Sequence, residues 1–330
     1  MKKLLKYKII FTYSIILVIV FVAGFALSRM LDEGSSTSEL RSNTSEGLTN
    51  QLLECELGKD TIASRKLDFS EDLKDVVADL KEKNKIKDIS VYFRDLNNGP
   101  VIDIDAAGQF SPASLLKVPI LIAYLKLSED EEGVLSKEIK FEKVVDVGYQ
   151  QKFAPTVDMT LGKSYSVKEL LEQMTIYSDN QALVLLYDRL PPKYLKDLYT
   201  LLGVDPDIAV DASKTLSIEK YSIFFRVLFN ASYLSRNNSE YALTLLSRTT
   251  FDQGIRSSAP GSITVAHKFG ERKSYGDIQQ FHDCGIVYYP NHPYLLCVMT
   301  RGQEVTSLID TIKQTSDFVY SIIDKQYSNK

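Results

Sequence analysis

The sequence predicts an α/β fold of the α+β type, in which one antiparallel sheet is built from both ends of the folded region and an all-helical lobe is inserted between them. Apolar and polar residues alternate as in strands at residues 88–105 and again at residues 262–302. The segment between them, about residues 111–246, mostly has a helical period. Because strands from both ends must pair to bury their apolar faces, the helical segment reads as an insertion.

Each part of this fold has its own local signal. Residues 68–85 repeat apolar side chains at helical spacing, and the early strands are separated by an Asn-Gly pair that is typical of a hairpin turn. In the middle segment, residues 166–190 and 217–234 give the clearest helices. Three late strands are followed by a closing helix from about Val305 to Lys325. The sequence has no internal repeat.

The first residues of the chain predict a membrane anchor. Lysines dominate residues 1–8, a cytoplasmic basic tail, and an apolar stretch long enough to span a bilayer follows at residues 9–28. A cleaved signal peptide is the alternative for this segment. Residues 29–66 are rich in Ser, Thr, Glu and Asn and predict a flexible linker, after which residues 67–326 form the folded domain.

Composition excludes several functions. With 39 basic and 43 acidic residues the net charge is −4, so the folded region offers no electrostatic surface for nucleic acid. The three cysteines, Cys55, Cys284 and Cys297, are too few and too scattered for a disulfide framework or a CxxC metal site. Cys284 and Cys297 flank a predicted hairpin; we expect buried thiols, with one disulfide as the alternative. We predict no metal and no cofactor.

The segment QFSPASLLKVPI contains a candidate nucleophile. Ser111 and Pro112 are typical of a helix start, which would place Ser114 in the first turn with a free backbone N–H, half of an oxyanion hole. Lys117 follows one turn later on the same face, within an apolar run that would lower its pKa. A lysine that has lost its proton can activate a serine hydroxyl. The spacing alone is weak evidence, because Ser217 and Lys220 repeat it.

Two further motifs raise the specificity of this pattern. Ser178, Asp179 and Asn180 form an SDN segment beside the long helical pattern, and Lys268 with Gly270 forms a K-x-G segment on a late strand. A second hydroxyl could relay a proton, an amide could hold a substrate carbonyl, and a lysine could bind a carboxylate. The order SxxK, SDN, K-x-G is far more specific than any one of them.

At these residues the chain resembles the penicillin-recognising serine enzymes, the family of class A β-lactamases and DD-peptidases. The resemblance covers most of residues 68–326 and implies a β-lactamase/transpeptidase-like fold. It also implies four catalytic residues. Ser114 is the acylated nucleophile, Lys117 its base partner, and Ser178 a proton relay. Lys268 is the fourth.

The resemblance implies the substrate contacts as well. Asn180 would contact the substrate amide, and Lys268 would bind the substrate carboxylate while helping to hold the base partner neutral. Gly270 completes the third motif at the substrate-binding strand. The backbone N–H of Glu271 would complete the oxyanion hole with that of Ser114.

Two departures from the family pattern bear on activity. Phe269 stands where the third motif usually has a hydroxyl residue. Class A β-lactamases also use a glutamate between the second and third motifs to hydrolyse the acyl-enzyme, and residues 180–215 contain no glutamate. The acids of that stretch are Asp188, Asp197, Asp205, Asp207 and Asp211. We therefore expect slow deacylation.

Other catalytic patterns are missing from the sequence. It has no G-x-S-x-G elbow, Walker loop, G-x-G-x-x-G or H-E-x-x-H. The three histidines, His267, His282 and His292, are dispersed and late, so they offer little for a Ser-His-Asp triad or a zinc site. We expect His267 to be a packed histidine that points away from Lys268. Tyr149 and Phe153 are expected to be core or exposed aromatics rather than cleft walls.

Together these observations predict a cell-surface serine acyl-enzyme hydrolase whose β-lactamase-like catalytic domain lies outside the membrane. Its expected partners are a β-lactam or a peptidoglycan stem peptide of the D-Ala-D-Ala type, and the membrane through the N-terminal helix; the oligomeric state is left open. Two alternatives are a non-turnover penicillin-binding sensor and a degenerate cell-wall binding protein. Burst and turnover kinetics with a cephalosporin separate them.

Overall fold

The computed structural model describes residues 47–50, 68–97, 99–146, 151–209, 211, 214–273 and 277–328. The fold lies within the compact unit Leu48–Lys330. Its helices are α1 (Ser70–Lys83), α2 (Lys117–Asp130), α3 (Val167–Ile176), α4 (Asn180–Tyr187), α5 (Pro192–Leu201), α6 (Ile218–Phe229), α7 (Arg236–Ser247) and α8 (Val305–Tyr327). Its strands are β1 (Asp88–Asp95), β2 (Val101–Ile104), β3 (Gln109–Phe110), β4 (Glu138–Lys140), β5 (Ser164–Ser166), β6 (Leu216–Ser217), β7 (Val265–Lys273), β8 (Gln279–Val287) and β9 (Tyr294–Gly302).

The main sheet joins the two ends of the folded region, as the sequence predicts. Its five strands have the order β2-β1-β9-β8-β7, and every neighbouring pair is antiparallel. Strand β1 from the early hairpin lies beside β9 from the late hairpin, with Val91 opposite Val298. Helices α2 to α7 come from the chain between these hairpins. The predicted fold class, an antiparallel sheet with an inserted helical lobe, is confirmed.

Alternation along the strands divides the interior into two hydrophobic cores. In β1, Tyr92 packs with the helices of the lobe, whereas Val91 and Phe93 pack with α1 and α8. In β7, Ala266 belongs to the lobe side and Phe269 to the opposite side. Since successive side chains of a strand point to opposite faces, Lys268 projects toward the lobe.

The helix predicted over residues 166–190 is broken in two. Helix α3 ends at Ile176, and α4 begins at Asn180. Ser178 between them has a φ of 58°, in the left-handed region that ends a helix. Asp179 then caps α4, because its Oδ1 accepts from the N–H groups of Gln181 at 2.6 Å and Ala182 at 2.9 Å.

The expectation of free thiols is wrong for the two late cysteines. Cys284 of β8 and Cys297 of β9 face each other directly in the antiparallel register. They are joined by a disulfide, the alternative that the sequence left open.

The predicted N-terminal segments lie outside the described residues. This applies to the basic tail at residues 1–8, the anchor at residues 9–28 and the linker up to residue 66, apart from residues 47–50. Among the helices of the described residues, none is both long and apolar enough to cross a membrane. Cys55 and Tyr149 also lie outside the described residues.

Candidate active site

Ser114 lies in a 3-10 turn, Ala113–Leu116, that continues directly into α2 at Lys117. We refer to Ala113–Leu116 as the Ser114 turn. The prediction that Ser111 caps a helix here is wrong: the turn begins after Pro112 and has no side-chain cap. The hydroxyl of Ser111 instead accepts from Arg272 Nη1 at 2.9 Å.

The Ser114 turn is fixed by bonds from the sheet and from α6. Gln280 Oε1 accepts from the Ser111 N–H at 3.0 Å, and His282 Nε2 lies 3.0 Å from the Ser111 carbonyl oxygen. The Tyr221 hydroxyl donates to the Leu115 carbonyl at 3.1 Å. These buried bonds determine where the Ser114 backbone lies.

His282 makes its bond as a neutral ring. Burial lowers the pKa of His282 to about 4, so the ring carries one proton at neutral pH. Its Nδ1 accepts from the Thr300 N–H at 3.3 Å, so the proton is on Nε2 and is donated to Ser111. The histidine is therefore part of the frame that holds the turn and is not a proton acceptor for it.

The backbone around Ser114 is suited to an oxyanion hole. Ala113 has a φ of 50°, an uncommon conformation for a residue with a Cβ. Ser114 is partly exposed, and neither its N–H nor its hydroxyl has a hydrogen-bond partner within the part of the chain that the structure describes. Both groups remain available to a substrate.

Lys117 connects the first motif with the second. Its side chain is 1% exposed, and its Nζ donates to the Ser178 carbonyl at 2.5 Å, to Ser178 Oγ at 2.9 Å and to Asn180 Oδ1 at 2.8 Å. Because the amide oxygen of Asn180 faces the lysine, its NH₂ group is left to donate elsewhere.

Lys268 reaches the same hydroxyl from the sheet. It is fully buried, and its Nζ donates to Ser178 Oγ at 2.9 Å and to the Phe269 carbonyl at 3.1 Å. The Nζ atom also lies 4.0 Å from the centroid of the Phe269 ring. The hydroxyl of Ser178 thus joins the lysines of the first and third motifs.

Burial changes the acid-base behaviour of both lysines. Desolvation lowers the pKa of Lys117 well below its ordinary value, and the charge of Lys268 lowers it further. Desolvation lowers the pKa of Lys268 to about 7, although the charges of Asp283 and Glu271 oppose the shift. The lowered pKa favours the neutral amine of Lys117, the form that can accept a proton.

Gly270 and Glu271 place the edge strand against the Ser114 turn. A Cβ atom on Gly270 would lie 3.1 Å from the Pro112 carbonyl oxygen and 3.2 Å from the Leu115 nitrogen, so glycine fits here without a shift and a larger residue would press on the turn. Glu271 follows on the same strand, and its carboxylate accepts from the N–H groups of Lys152 and Phe153, both at 3.1 Å. The sequence did not predict this side-chain role.

The structure also contains a buried pair that the sequence did not reveal. His267 is a packed histidine, as expected, but its Nδ1 lies 2.9 Å from Asp283 Oδ1. The other carboxylate oxygen, Oδ2, accepts from the Ile255 N–H at 2.9 Å. These two groups are adjacent across β7 and β8, and Asp283 is the group that raises the pKa of Lys268 most strongly.

The acids that follow the second motif lie at the surface. The five residues Asp188, Asp197, Asp205, Asp207 and Asp211 are all exposed. Lys214 forms ion pairs with Asp205 at 3.5 Å and with Asp207 at 3.8 Å. Asp205 and Asp207 are therefore paired with a lysine that is not part of the candidate site.

The predicted site residues thus fall into one hydrogen-bonded cluster plus two flanking elements. Lys117, Ser178, Asn180 and Lys268 are bonded together. Ser114 is next to this cluster in the chain, one turn before Lys117, and Gly270 touches its turn. Metal-binding groups of three or more His, Cys, Asp or Glu are not found in the described part of the chain.

The sequence matches a known family over most of the folded region. The profile of the beta-lactamase enzyme family matches residues 68–323. A β-lactamase of Proteus vulgaris is 27% identical over 239 residues, which cover 67% of this chain and 83% of that protein.

Solved structures show the same fold. A class A β-lactamase from Mycobacterium abscessus has a TM-score of 0.65 at 23% identity, and the match covers 76% of this chain and 99% of that one. A mutant of PBP-A, solved as an acyl-enzyme complex with penicillin G, has a TM-score of 0.63 at 20% identity, covering 79% of this chain and 99% of that one. The family profile spans well over half of the sequence, and the chain therefore belongs to the beta-lactamase enzyme family and is a serine hydrolase.

Proposed function

We propose that the protein uses Ser114 to form an acyl-enzyme with β-lactams or with D-Ala-D-Ala-type peptidoglycan peptides, and that it hydrolyses the acyl-enzyme slowly. The observation that carries this proposal is the contact of two buried lysines, Lys117 and Lys268, with one hydroxyl, that of Ser178. The acyl-enzyme that PBP-A forms with penicillin G supports the choice of ligand.

The proposed acylation step begins with neutral Lys117. A neutral amine has two N–H groups and one lone pair, so it cannot donate to all three of its present acceptors, and the lone pair can take a proton. Lys117 takes the hydroxyl proton of Ser114 while the serine oxygen bonds to the substrate carbonyl carbon. The backbone N–H groups of Ser114 and Glu271 stabilise the negative charge that develops on the carbonyl oxygen.

The leaving nitrogen then needs a proton. As the carbonyl C–N bond breaks, Ser178 gives its hydroxyl proton to the nitrogen and receives one in turn from Lys117. The 2.9 Å contact between Lys117 Nζ and Ser178 Oγ supports this relay. Lys268 keeps the Ser178 hydroxyl in place and provides positive charge toward a substrate carboxylate.

Slow deacylation follows from the surface position of the acids after the second motif. A base that positions water contributes on the order of a hundredfold to ten-thousandfold to a rate. Asp205 and Asp207 are paired with Lys214, with side chains 50% and 68% exposed, so neither is placed as such a base. A β-lactam should therefore act more as an inhibitor than as a substrate, which leaves peptide hydrolysis or transfer as the better candidate for the natural activity.

We further propose that the catalytic domain is held outside the membrane by residues 9–28. The lysine bias of residues 1–8 and the apolar length of the anchor segment support this topology. The proposal concerns location only, and the acylation chemistry does not depend on it.

Replacing the nucleophile should abolish covalent labelling. A fluorescent penicillin should label the wild-type protein, and Ser114→Ala should not be labelled, because among the described residues no other serine combines the free N–H with the neighbouring lysine cluster. Ser217→Ala is the matched control: its hydroxyl caps α6, so the variant should lose about 1 kcal/mol of stability but keep the label. In-gel fluorescence measures both. Labelling of Ser114→Ala would contradict the assignment.

Kinetics should show a burst without sustained turnover. Mixing the purified protein with a chromogenic cephalosporin should release about one equivalent of product rapidly. The residues proposed for acylation are present, whereas residues 180–215 contain no glutamate to activate water for hydrolysis of the acyl-enzyme. Stopped-flow absorbance measures the burst and the later turnover rate, and intact mass spectrometry measures the amount of acyl-enzyme. Rapid sustained hydrolysis, lost in Asp205→Asn or Asp207→Asn, would instead identify a substitute base.

The buried lysine should also make stability depend on pH. The folded-state pKa of Lys268 is about 7 and its ordinary value is 10.5, so between these values the unfolded chain binds a proton that the folded protein lacks. The free energy of unfolding should therefore rise with pH from about 7 to 10, with a ceiling of about 1.4 kcal/mol per pH unit.

Urea unfolding at pH 7 and pH 9.5 tests this slope. Lys268→Met removes the titrating group, so it should show a smaller gain than the wild type. Lys196→Met, which removes an exposed lysine, should keep the wild-type gain. Equal gains in all three proteins would mean that Lys268 keeps an ordinary pKa.

A further inference from the structure

Residues 151–153, which we call the strap, connect the two walls of the site. On the lobe side, Gln151 Nε2 donates to the Ser178 carbonyl at 3.2 Å. On the sheet side, the N–H groups of Lys152 and Phe153 donate to the two carboxylate oxygens of Glu271, each at 3.1 Å. The strap thus links the second motif to the residue after the third.

An aromatic cluster holds the far end of the strap. The Phe153 ring centroid lies 4.9 Å from that of Phe251, 5.7 Å from that of Phe281 and 6.0 Å from that of Phe269. These three partners are buried in the core between the sheet and helices α1 and α8. The ring therefore anchors the strap through apolar contact in addition to the hydrogen bonds.

The carboxylate of Glu271 depends on the strap. Glu271 is only 5% exposed, and a buried carboxylate is costly unless hydrogen-bond donors reach it. The two backbone N–H groups of the strap supply such donors, and bonds to an ionised acceptor are stronger than neutral ones. Opening the strap would break both bonds, so the closed position is favoured.

The strap lies at the edge of the sheet where a substrate would extend. Strand β7 is the last strand of the sheet, and Gly270, the residue before Glu271, touches the Ser114 turn. An extended peptide can bind by adding to an exposed strand edge. The strap is bonded to Glu271, so it covers the β7 edge one residue after Gly270, the residue that touches the Ser114 turn.

We propose that Glu271 is a specificity-determining residue, whose carboxylate holds the strap across the β7 edge so that Ser114 reacts readily with compact acyl donors and slowly with donors that carry a bulky acyl side chain. This inference rests on the proposed acylation of Ser114. It assigns the Glu271 side chain a role separate from that of its backbone N–H.

The test compares two penicillins of different size. 6-Aminopenicillanic acid has no acyl side chain, and piperacillin has a large one. Second-order rate constants for acylation are measured by intact mass spectrometry for the wild type and for Glu271→Ala. The ratio of the piperacillin rate to the 6-aminopenicillanic acid rate should rise about tenfold or more in the variant, as expected when bonds to one charged acceptor are lost.

The ratio isolates the strap from other effects of the substitution. Glu271 raises the pKa of both Lys117 and Lys268, but this acts on the acylation of either penicillin and cancels in the ratio. Phe153→Ala, which removes the anchor and keeps the carboxylate, should raise the ratio in the same direction. Glu219→Ala, which removes an exposed glutamate of α6, should leave it unchanged.

Hydrogen exchange provides a measurement without any penicillin. The amides of Lys152 and Phe153 should exchange slowly in the wild type and much faster in Glu271→Ala, since their acceptor is lost. If Glu271→Ala does not fold, Phe153→Ala gives the ratio and the exchange test on its own.

The outcomes separate this inference from the proposed function. If Ser114 is acylated and the ratio is the same in the wild type, Glu271→Ala and Phe153→Ala, the strap does not select substrates and the inference is overturned while acylation stands. If neither penicillin labels Ser114 in any of these proteins, the proposed function fails and the inference fails with it.

Discussion

The site depends on one hydroxyl that contacts two buried lysines. Ser178 Oγ lies 2.9 Å from Lys117 Nζ and 2.9 Å from Lys268 Nζ, and one lysine comes from α2 and the other from β7. Burial disfavours the charged form of Lys117, and the nearby charge of Lys268 disfavours it further. Both effects lower the pKa of Lys117 and favour the loss of its proton. The rest of the fold serves to bring these elements to the same point and to exclude water from them.

Asp283 acts unequally on the pKa values of the two buried lysines. Asp283, held by His267 and by the Ile255 N–H, lies on β8 beside β7 and raises the pKa of Lys268. Asp283 raises the pKa of Lys117 less, because the charges that act most on Lys117 are those of Lys268, Asp179 and Glu271. The two lysines therefore differ in proton affinity, which suits their proposed roles as a base and as a charged partner for a substrate carboxylate.

Sequence periodicity was enough to predict the fold but not the local breaks that make the site. Alternation and helical spacing located the sheet and the lobe, since both patterns come from burial of one face. The same helical spacing continues on both sides of Ser178, so it hid the break there; the left-handed turn is stabilised by lysines that are distant in sequence. The pairing of Cys284 with Cys297 was open for a similar reason, because a hairpin brings two cysteines together without fixing their oxidation state.

Two residues at the third motif, Phe269 and Glu271, are linked through the strap. Phe269 occupies the place of a hydroxyl, and its ring, on the face of β7 opposite Lys268, joins Phe251 and Phe281 in the core. The same cluster receives Phe153 from the strap. Glu271, two residues after Phe269 on the same face, binds the adjoining amides. The Phe269 ring and the Glu271 carboxylate thus both hold the strap. A hydroxyl residue at position 269 would remove the ring contact with Phe153.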